Sequence, residues 1–203
     1  MVPRNRELER SEAARHALVV AAVDLFTEKG FADTATSEVV NRAGLTRAAF
    51  YHHFTDKETL FEAAAEAVEA RVGDRVRAAA AGLDGDPAES LRVSAQAFLD
   101  ACLEPEVRRL LLREAPSVLG WQWWNGADRP RGPWGLLVET LAAAIRGGVL
   151  PAQPAEPLAH LLHGALLRAG VVMTSGARGE GARDAMAAAV RRLVDSLLAG
   201  DRS

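Results

Sequence analysis

The sequence predicts an all-α chain, with a small N-terminal head of three helices that includes a helix-turn-helix and a larger helical body, about nine helices in all. Three observations predict it. The stretch Val39–Lys57, VVNRAGLTRAAFYHHFTDK, reads as two short helices around a glycine turn. Elsewhere apolar residues recur three and four apart, the period of one helix face. At 203 residues and 49% apolar content the chain can bury a sizeable core.

Taken in order, residues 1–10 are polar without a hydrophobic period and predict a flexible arm, whose Arg4, Arg6 or Arg10 could reach a minor groove. Ser11 reads as the N-cap of the first helix, with Glu12 in its first turn. Ala14, Leu18, Ala21 and Leu25 then make one face, joined by Ala22 and Phe26, and Gly30 ends the helix. A second helix starts near Thr36. Gly44 supplies the left-handed backbone that stops it, and Thr46 caps a third helix over Arg47–His53. Phe50 and Phe54, four apart, point one way, while Arg47, Tyr51 and the Thr46 hydroxyl point elsewhere.

Two short helices around a tight turn, the second with donors on its open face, suit insertion of one helix into the major groove of B-DNA. Arg47 is the candidate base reader, because a guanidinium can bond guanine O6 and N7 together. Ala48 and Ala49 allow close approach, and their methyls can meet thymine methyls. The domain division expected is arm 1–10, DNA-binding head 11–56 and regulatory body 57–203.

A fourth helix from Lys57 to about Ala81 carries Leu60, Ala64, Ala67 and Val72 on one side. GLDGD at 82–86 breaks it, and Pro87 suits the first turn of a new helix. Pro87–Leu103 and Pro105–Leu119 follow. A tryptophan-rich stretch, GWQWWNGADRPRG, spans 120–132. Trp134–Arg146 is a further helix. Leu158–Ser175 is apolar almost all round, which predicts burial on more than one side. Ala182–Ala199 presents Met186, Val190, Leu193 and Leu197 as a stripe. The last two helices have more apolar surface than one small core needs, and Gly164 and Gly170 would admit a neighbouring helix, so a two-fold helical interface is expected. Phe98, Cys102, Trp121, Trp124, Trp134, Leu137, Leu162, His163 and Leu166 are the candidate lining of an apolar pocket with a few polar groups.

Net charge is −3, and residues 1–60 carry eight Lys or Arg against nine Asp or Glu. Any nucleic-acid footprint must therefore be local, and the dependence of binding on salt modest. The single cysteine excludes an intrachain disulfide. No signal segment opens the chain and no run of about 18 apolar residues suggests a membrane span, so the expected location is the cytoplasm. His52 and His53 are adjacent and point about 100° apart on a helix, which does not make a metal site. No cofactor is expected.

Over Arg15–Phe61 the chain resembles the tetracycline-repressor-like (TetR/AcrR) family of bacterial transcription regulators. The resemblance rests on LFTEKGF at 25–31, RAGLTRAAFYHHF at 42–54, and Lys57 with Leu60 opening the next helix. It implies a homodimer that binds a palindromic operator on double-stranded DNA, and a body that holds a small-molecule effector. It implies phosphate contacts for Tyr51, His52 and Lys57. The family usually has Ser or Thr at the position of Ala35, with an acid three residues on; Glu38 is present, and Thr34, Thr36 or Ser37 stands in for the missing hydroxyl.

The leading expectation is a ligand-responsive repressor. The first alternative is a DNA-binding dimer without an effector, sensing at most oxidation at Cys102. The remote one is an α-helical enzyme, against which stand the lack of a phosphate-binding glycine loop, of metal-ligand spacing and of a nucleophile with an evident base.

Overall fold

The computed structural model describes residues 3–83, 85–120, 123, 132–175 and 179–199. Among these it has nine α-helices, one π-helix and no strand. The helices are α1 (Pro3–Lys29), α2 (Thr36–Arg42), α3 (Arg47–His53), α4 (Lys57–Ala79) and α5 (Pro87–Ala101), then π1 (Val107–Glu114), α6 (Ala115–Val118), α7 (Pro133–Arg146), α8 (Ala155–Thr174) and α9 (Gly179–Ala199).

Helix α1 begins at Pro3, inside the stretch expected to be an arm, and runs through Ser11. The correction has a simple cause. Missing apolar periodicity signals missing burial, not missing helix, and Arg, Glu and Leu are good helix formers. Pro3 also suits a first turn, where its absent N–H costs nothing.

Packing divides the chain into two units. The first comprises Met1–Val68 with Arg109–Trp124, and the second Glu69–Arg108 with Asn125–Ser203. The boundary expected at Lys57 therefore falls within α4 instead, and a later segment joins the head. The first unit is built on α1, which packs against α2 and α3. Leu18, Ala22, Phe26, Val39, Phe50, Leu60 and Phe61 are fully buried there. Phe26, Phe31 and Phe61 form an aromatic triad with centroids 5.2–5.9 Å apart, in the tilted and edge-on arrangements that ring quadrupoles favour.

In the second unit α5 is the hub and touches α7, α8 and α9, with α7–α8 and α8–α9 contacts completing the layer. Its capping follows from sequence: Asp86 Oδ1 accepts from the Glu89 N–H at 3.0 Å, and Pro87 occupies the first turn. Arg92 reaches Asp195 of α9 at 2.7 Å.

Three expectations change beyond α5. The stretch expected as one helix over Pro105–Leu119 is wound as π1 and a short α6. Pro116 lacks the N–H that would bond the Leu112 carbonyl in an α-helix, which penalises a continuous α course. In α9 the inward stripe is Val190, Val194 and Leu198, while Leu193 is 49% exposed. In α8 Gly170 is buried within the chain, whereas Gly164 is exposed and a Cβ there would meet nothing within 4 Å.

Candidate nucleic-acid interface

The turn between α2 and α3 closes as a Schellman motif. Gly44 (φ +66°) donates its N–H to the Asn41 carbonyl at 3.1 Å, and the Leu45 N–H reaches Val40 at 3.0 Å. Both bonds satisfy carbonyls that the end of α2 would otherwise orphan. Thr46, in extended backbone, then caps α3 by accepting from the Ala49 N–H at 3.2 Å. Its hydroxyl hydrogen stays available to an acceptor outside the helix.

Helix α3 is anchored by Phe50, which is 1% exposed and makes an edge contact with Tyr51 at 5.2 Å. The opposite face is open: Thr46, Arg47, Ala48, Tyr51 and His52 are exposed, and Ala49 is half-buried. Arg47 and Tyr51 act as a pair. The guanidinium lies 5.5 Å from the ring centroid and an Nη2 donates to the Tyr51 hydroxyl at 3.4 Å. Stacking on the ring holds the fork in a defined orientation. His53 is half-buried, and burial followed by the charges of His52 and Arg15 lowers its pKa.

At the start of α2, Thr36 is half-buried and Ser37 exposed. Ala35 has no side-chain oxygen, so only the return arm of a capping box forms, with the Ala35 N–H donating to Glu38 Oε2 at 3.0 Å. The hydroxyl of Thr34 does not replace it. It is buried and donates to the Gly30 carbonyl at 2.7 Å.

Lys57 requires a correction. Its Nζ donates to the carbonyls of Phe31 (2.7 Å), Thr34 (3.1 Å) and Ala32 (3.3 Å) and lies 4.3 Å from the Phe31 ring centroid. An ammonium has three donors, and all are engaged inside the head. The residue pins the α1–α2 turn rather than presenting its charge to phosphate. Arg42 is also committed, to both carboxylate oxygens of Glu28 at 2.7 and 3.1 Å, and Lys29 pairs with Glu38. Of Arg42, Arg47 and Lys57, Arg47 is the one whose charge stays on the open face of α3. What remains for an anion is the donor-rich N-terminal turns of α2 and α3.

The body holds a small cavity of about 20 Å³, room for about one water. Phe98, Leu137, His163 and Leu166 of the candidate set line it, with Ser94 and Thr140 adding hydroxyls. It shares Val76, Ser94 and Thr140 with a wider cleft of about 560 Å³ that Arg77 and Glu139 also border. Cys102, Trp134 and Leu162 are buried without lining the cavity. Trp134 is instead packed against His160, tilted, and His163, edge-on, with centroids 4.4 and 5.4 Å away. Trp121 and Trp124 lie outside the described residues. Burial pushes the Cys102 thiol up to about 12, so almost no thiolate exists at neutral pH and the oxidation-sensing role loses its chemistry. Among the described residues no group of three His, Cys, Asp or Glu could hold a metal ion, and no helix is long and apolar enough to cross a membrane.

Comparison with known proteins agrees with this geometry. The family model for bacterial regulatory proteins of the tetR family matches residues 18–64, and that for the tetracyclin repressor-like C-terminal domain matches residues 88–197. The chain is 36% identical over 109 residues to the HTH-type transcriptional regulator AcrR of Shigella flexneri, covering 54% of this chain and 50% of that protein. It is 28% identical over 106 residues to TtgR of Pseudomonas putida, 52% and 50% respectively, so it spans about half the length of these curated relatives. A crystal structure of a TetR-family transcriptional regulator from Pectobacterium atrosepticum is 33% identical, covers 94% of this chain and 96% of its own, and superposes with a TM-score of 0.76. One from Mesorhizobium loti shares the fold at 20% identity, 94% and 97% coverage and a TM-score of 0.73. A capped, outward-facing helix on a three-helix head, with one family model matching that head and the other the C-terminal domain, identifies the chain as a member of the tetR family of bacterial regulatory proteins.

Proposed function

We propose that the protein is a homodimeric repressor that binds a palindromic operator and is released by a small, largely apolar effector. The observation that carries the DNA side is the exposed row Thr46, Arg47, Ala48, Tyr51 and His52 on a helix fixed from behind by Phe50. Thr46 and the N-terminal turn of α3 bind phosphate, Arg47 reads a base, and Tyr51 and His52 contact the backbone. Thr36 and Ser37 offer hydroxyls from the first turn of α2, and Ala49 approaches a base methyl. The test is selection of an operator from random duplexes, then a shift assay at moderate salt. Binding without sequence preference would overturn the reading.

Dimerisation is supported by apolar surface left on α8 and α9. Leu161, three residues before the open backbone at Gly164, is 74% exposed, and Leu193 on α9 is 49% exposed. Isolated exposed leucines are ordinary, but two on consecutive packed helices with a bare glycine favour a helical partner, and a second copy of the chain closes the symmetry. Leu161→Glu is expected to give monomers by light scattering and to weaken operator binding, since each head alone reads half a palindrome.

For the effector, Phe98, Leu137 and Leu166 supply apolar wall, and Ser94, Thr140 and His163 supply hydrogen bonds. At about 20 Å³ the cavity itself has room for little more than one water. A ligand larger than that selects a widened cavity or extends into the adjoining cleft of about 560 Å³, and its preference for one form of the body is the energy available to move the heads. The same small volume favours the second reading, a dimer with no effector. Thermal-shift screening of apolar compounds separates them, because a ligand that binds the folded state raises Tm by mass action.

A further inference from the structure

We propose that the cleft beside the body cavity binds an amphipathic amine, and that Glu139 selects its positive charge. The proposal deepens the effector reading above and takes its regulatory meaning from it.

The cleft holds about 560 Å³, within the range of about 300–1,000 Å³ typical of small-molecule sites. All its lining residues lie in the second packing unit, so it is a feature of that unit alone. Three elements enclose it: the end of α4 with the turn that follows, the first turns of α5, and one face of α7. On α7 that face is Leu136, Glu139, Thr140 and Ala143, spaced three and four apart. Val76, Ser94 and Thr140 belong to both cleft and cavity, so the two spaces meet at a pair of hydroxyls. Behind the hydroxyls stand Leu91, Phe98 and Leu137. The polarity therefore runs from a charged mouth to an apolar inner wall, which suits a ligand with one polar and one apolar end.

The charges around the cleft decide what the polar end is. Arg77 donates to Asp74 at 2.6 Å, so its charge is matched on its own helix. The N-terminus of α5 is the other positive feature. Asp86 matches that one, its Oδ1 accepting from the Glu89 N–H at 3.0 Å. The C-terminal end of α4 brings partial negative charge to the wall at residues 80–83. Glu139 is exposed on α7 and has no hydrogen bond or ion pair among the described residues. The negative charge is thus in surplus, and a cleft of one sign draws in the opposite ion. A primary ammonium fits best. It is charged at neutral pH and has three donors, for which the Glu139 carboxylate and the hydroxyl oxygens of Ser90, Ser94 and Thr140 are acceptors.

The test uses full-length protein without DNA and three compounds of one shape: naphthylmethylamine, naphthylmethanol and naphthoate. Dissociation constants are read by titration calorimetry. The amine is expected to bind about fivefold tighter than the alcohol, the worth of one exposed ion pair, and the carboxylate more weakly than either. Glu139→Gln should erase the amine's advantage and leave the alcohol unchanged. Arg77→Met should enlarge that advantage, since it frees Asp74. Ser90→Phe fills the cleft and should abolish binding of amine and alcohol alike, with Ala143→Phe as the second filler should the first fail to melt cooperatively. Equal affinities for the three compounds, no binding of any, an advantage that survives Glu139→Gln, or binding that survives the filler each overturns the proposal. The effector reading is tested apart. An amine that binds with this ranking yet leaves affinity for a selected operator unchanged supports the cleft and ends the effector reading.

Discussion

Lys57 Nζ lies 2.7 Å from the carbonyl oxygen of Phe31, on a turn that precedes it by more than twenty residues. With Ala32 and Thr34 it makes the lysine a pin inside the head. Charged hydrogen bonds of this kind contribute about 1.5–3 kcal/mol each to stability. Lys57→Met is therefore expected to destabilise the protein by about that much in urea unfolding. The salt dependence of operator binding should keep its slope, whereas losing a true phosphate contact would lower it by about 1.

Arg47→Ala should cost roughly 1–3 kcal/mol at the cognate operator and relax preference at one base position per half-site. Tyr51→Phe keeps the stacked ring but removes the hydroxyl that receives Arg47. It should cost less while moving in the same direction. Competition shifts with operators varied one position at a time measure both, and a sequence-blind loss for Arg47→Ala would mean that it touches only phosphate.

Three head carboxylates sit below their usual range. For Glu28 the main cause is the hydrogen bond from Arg42, for Glu38 the one from Lys29, and for Asp56 the backbone N–H of Thr59. A carboxyl with a lower pKa folded than unfolded contributes stability above its unfolded value and loses it as pH falls through the folded one. The Tm should thus be flat near neutrality and decline once pH drops below the ordinary values, 4.5 for the glutamates and 3.8 for Asp56. Asp56→Asn should flatten the lower end of that decline.

Cys102, 1% exposed and with its thiol pushed up to about 12, should resist alkylation in the native state at neutral pH. Mass spectrometry should find it modified only as fast as the body opens. Operator binding should be indifferent to mild peroxide, and Cys102→Ala should cost on the order of 1 kcal/mol in stability without changing that indifference.

The local signals were the legible ones. Gly44, Thr46, Phe50 and Phe54 delimit α3 over Arg47–His53 because turn, cap and i,i+4 burial are all written within ten residues. The partners of Lys57 and Arg42 were not legible, since a count of charges says nothing about which carbonyl or carboxylate folds back onto them. The hydrogen bond of Arg109 to Glu114, at 3.0 Å, carried no signal either: five apart, the two look unrelated until the winding is known. Pro116 was the one local hint that the winding would change. In α9, apolar residues on adjacent faces left the phase ambiguous, and Val194 rather than Leu193 turned inward. Of the candidate pocket residues, Phe98, Leu137, His163 and Leu166 line the small cavity because α5, α7 and α8 meet there, while Trp134 packs on two histidines.

The first packing unit is discontinuous along the chain, taking in Arg109–Trp124 as well as Met1–Val68, with Leu110 and Ala115 fully buried. A nascent chain emerging from the ribosome therefore cannot finish its reading head when α4 appears; some forty residues of the body must be made first. Cutting the gene after Val68 would yield a fragment missing part of its own interior, so a minimal DNA-binding module needs π1 and α6 grafted back.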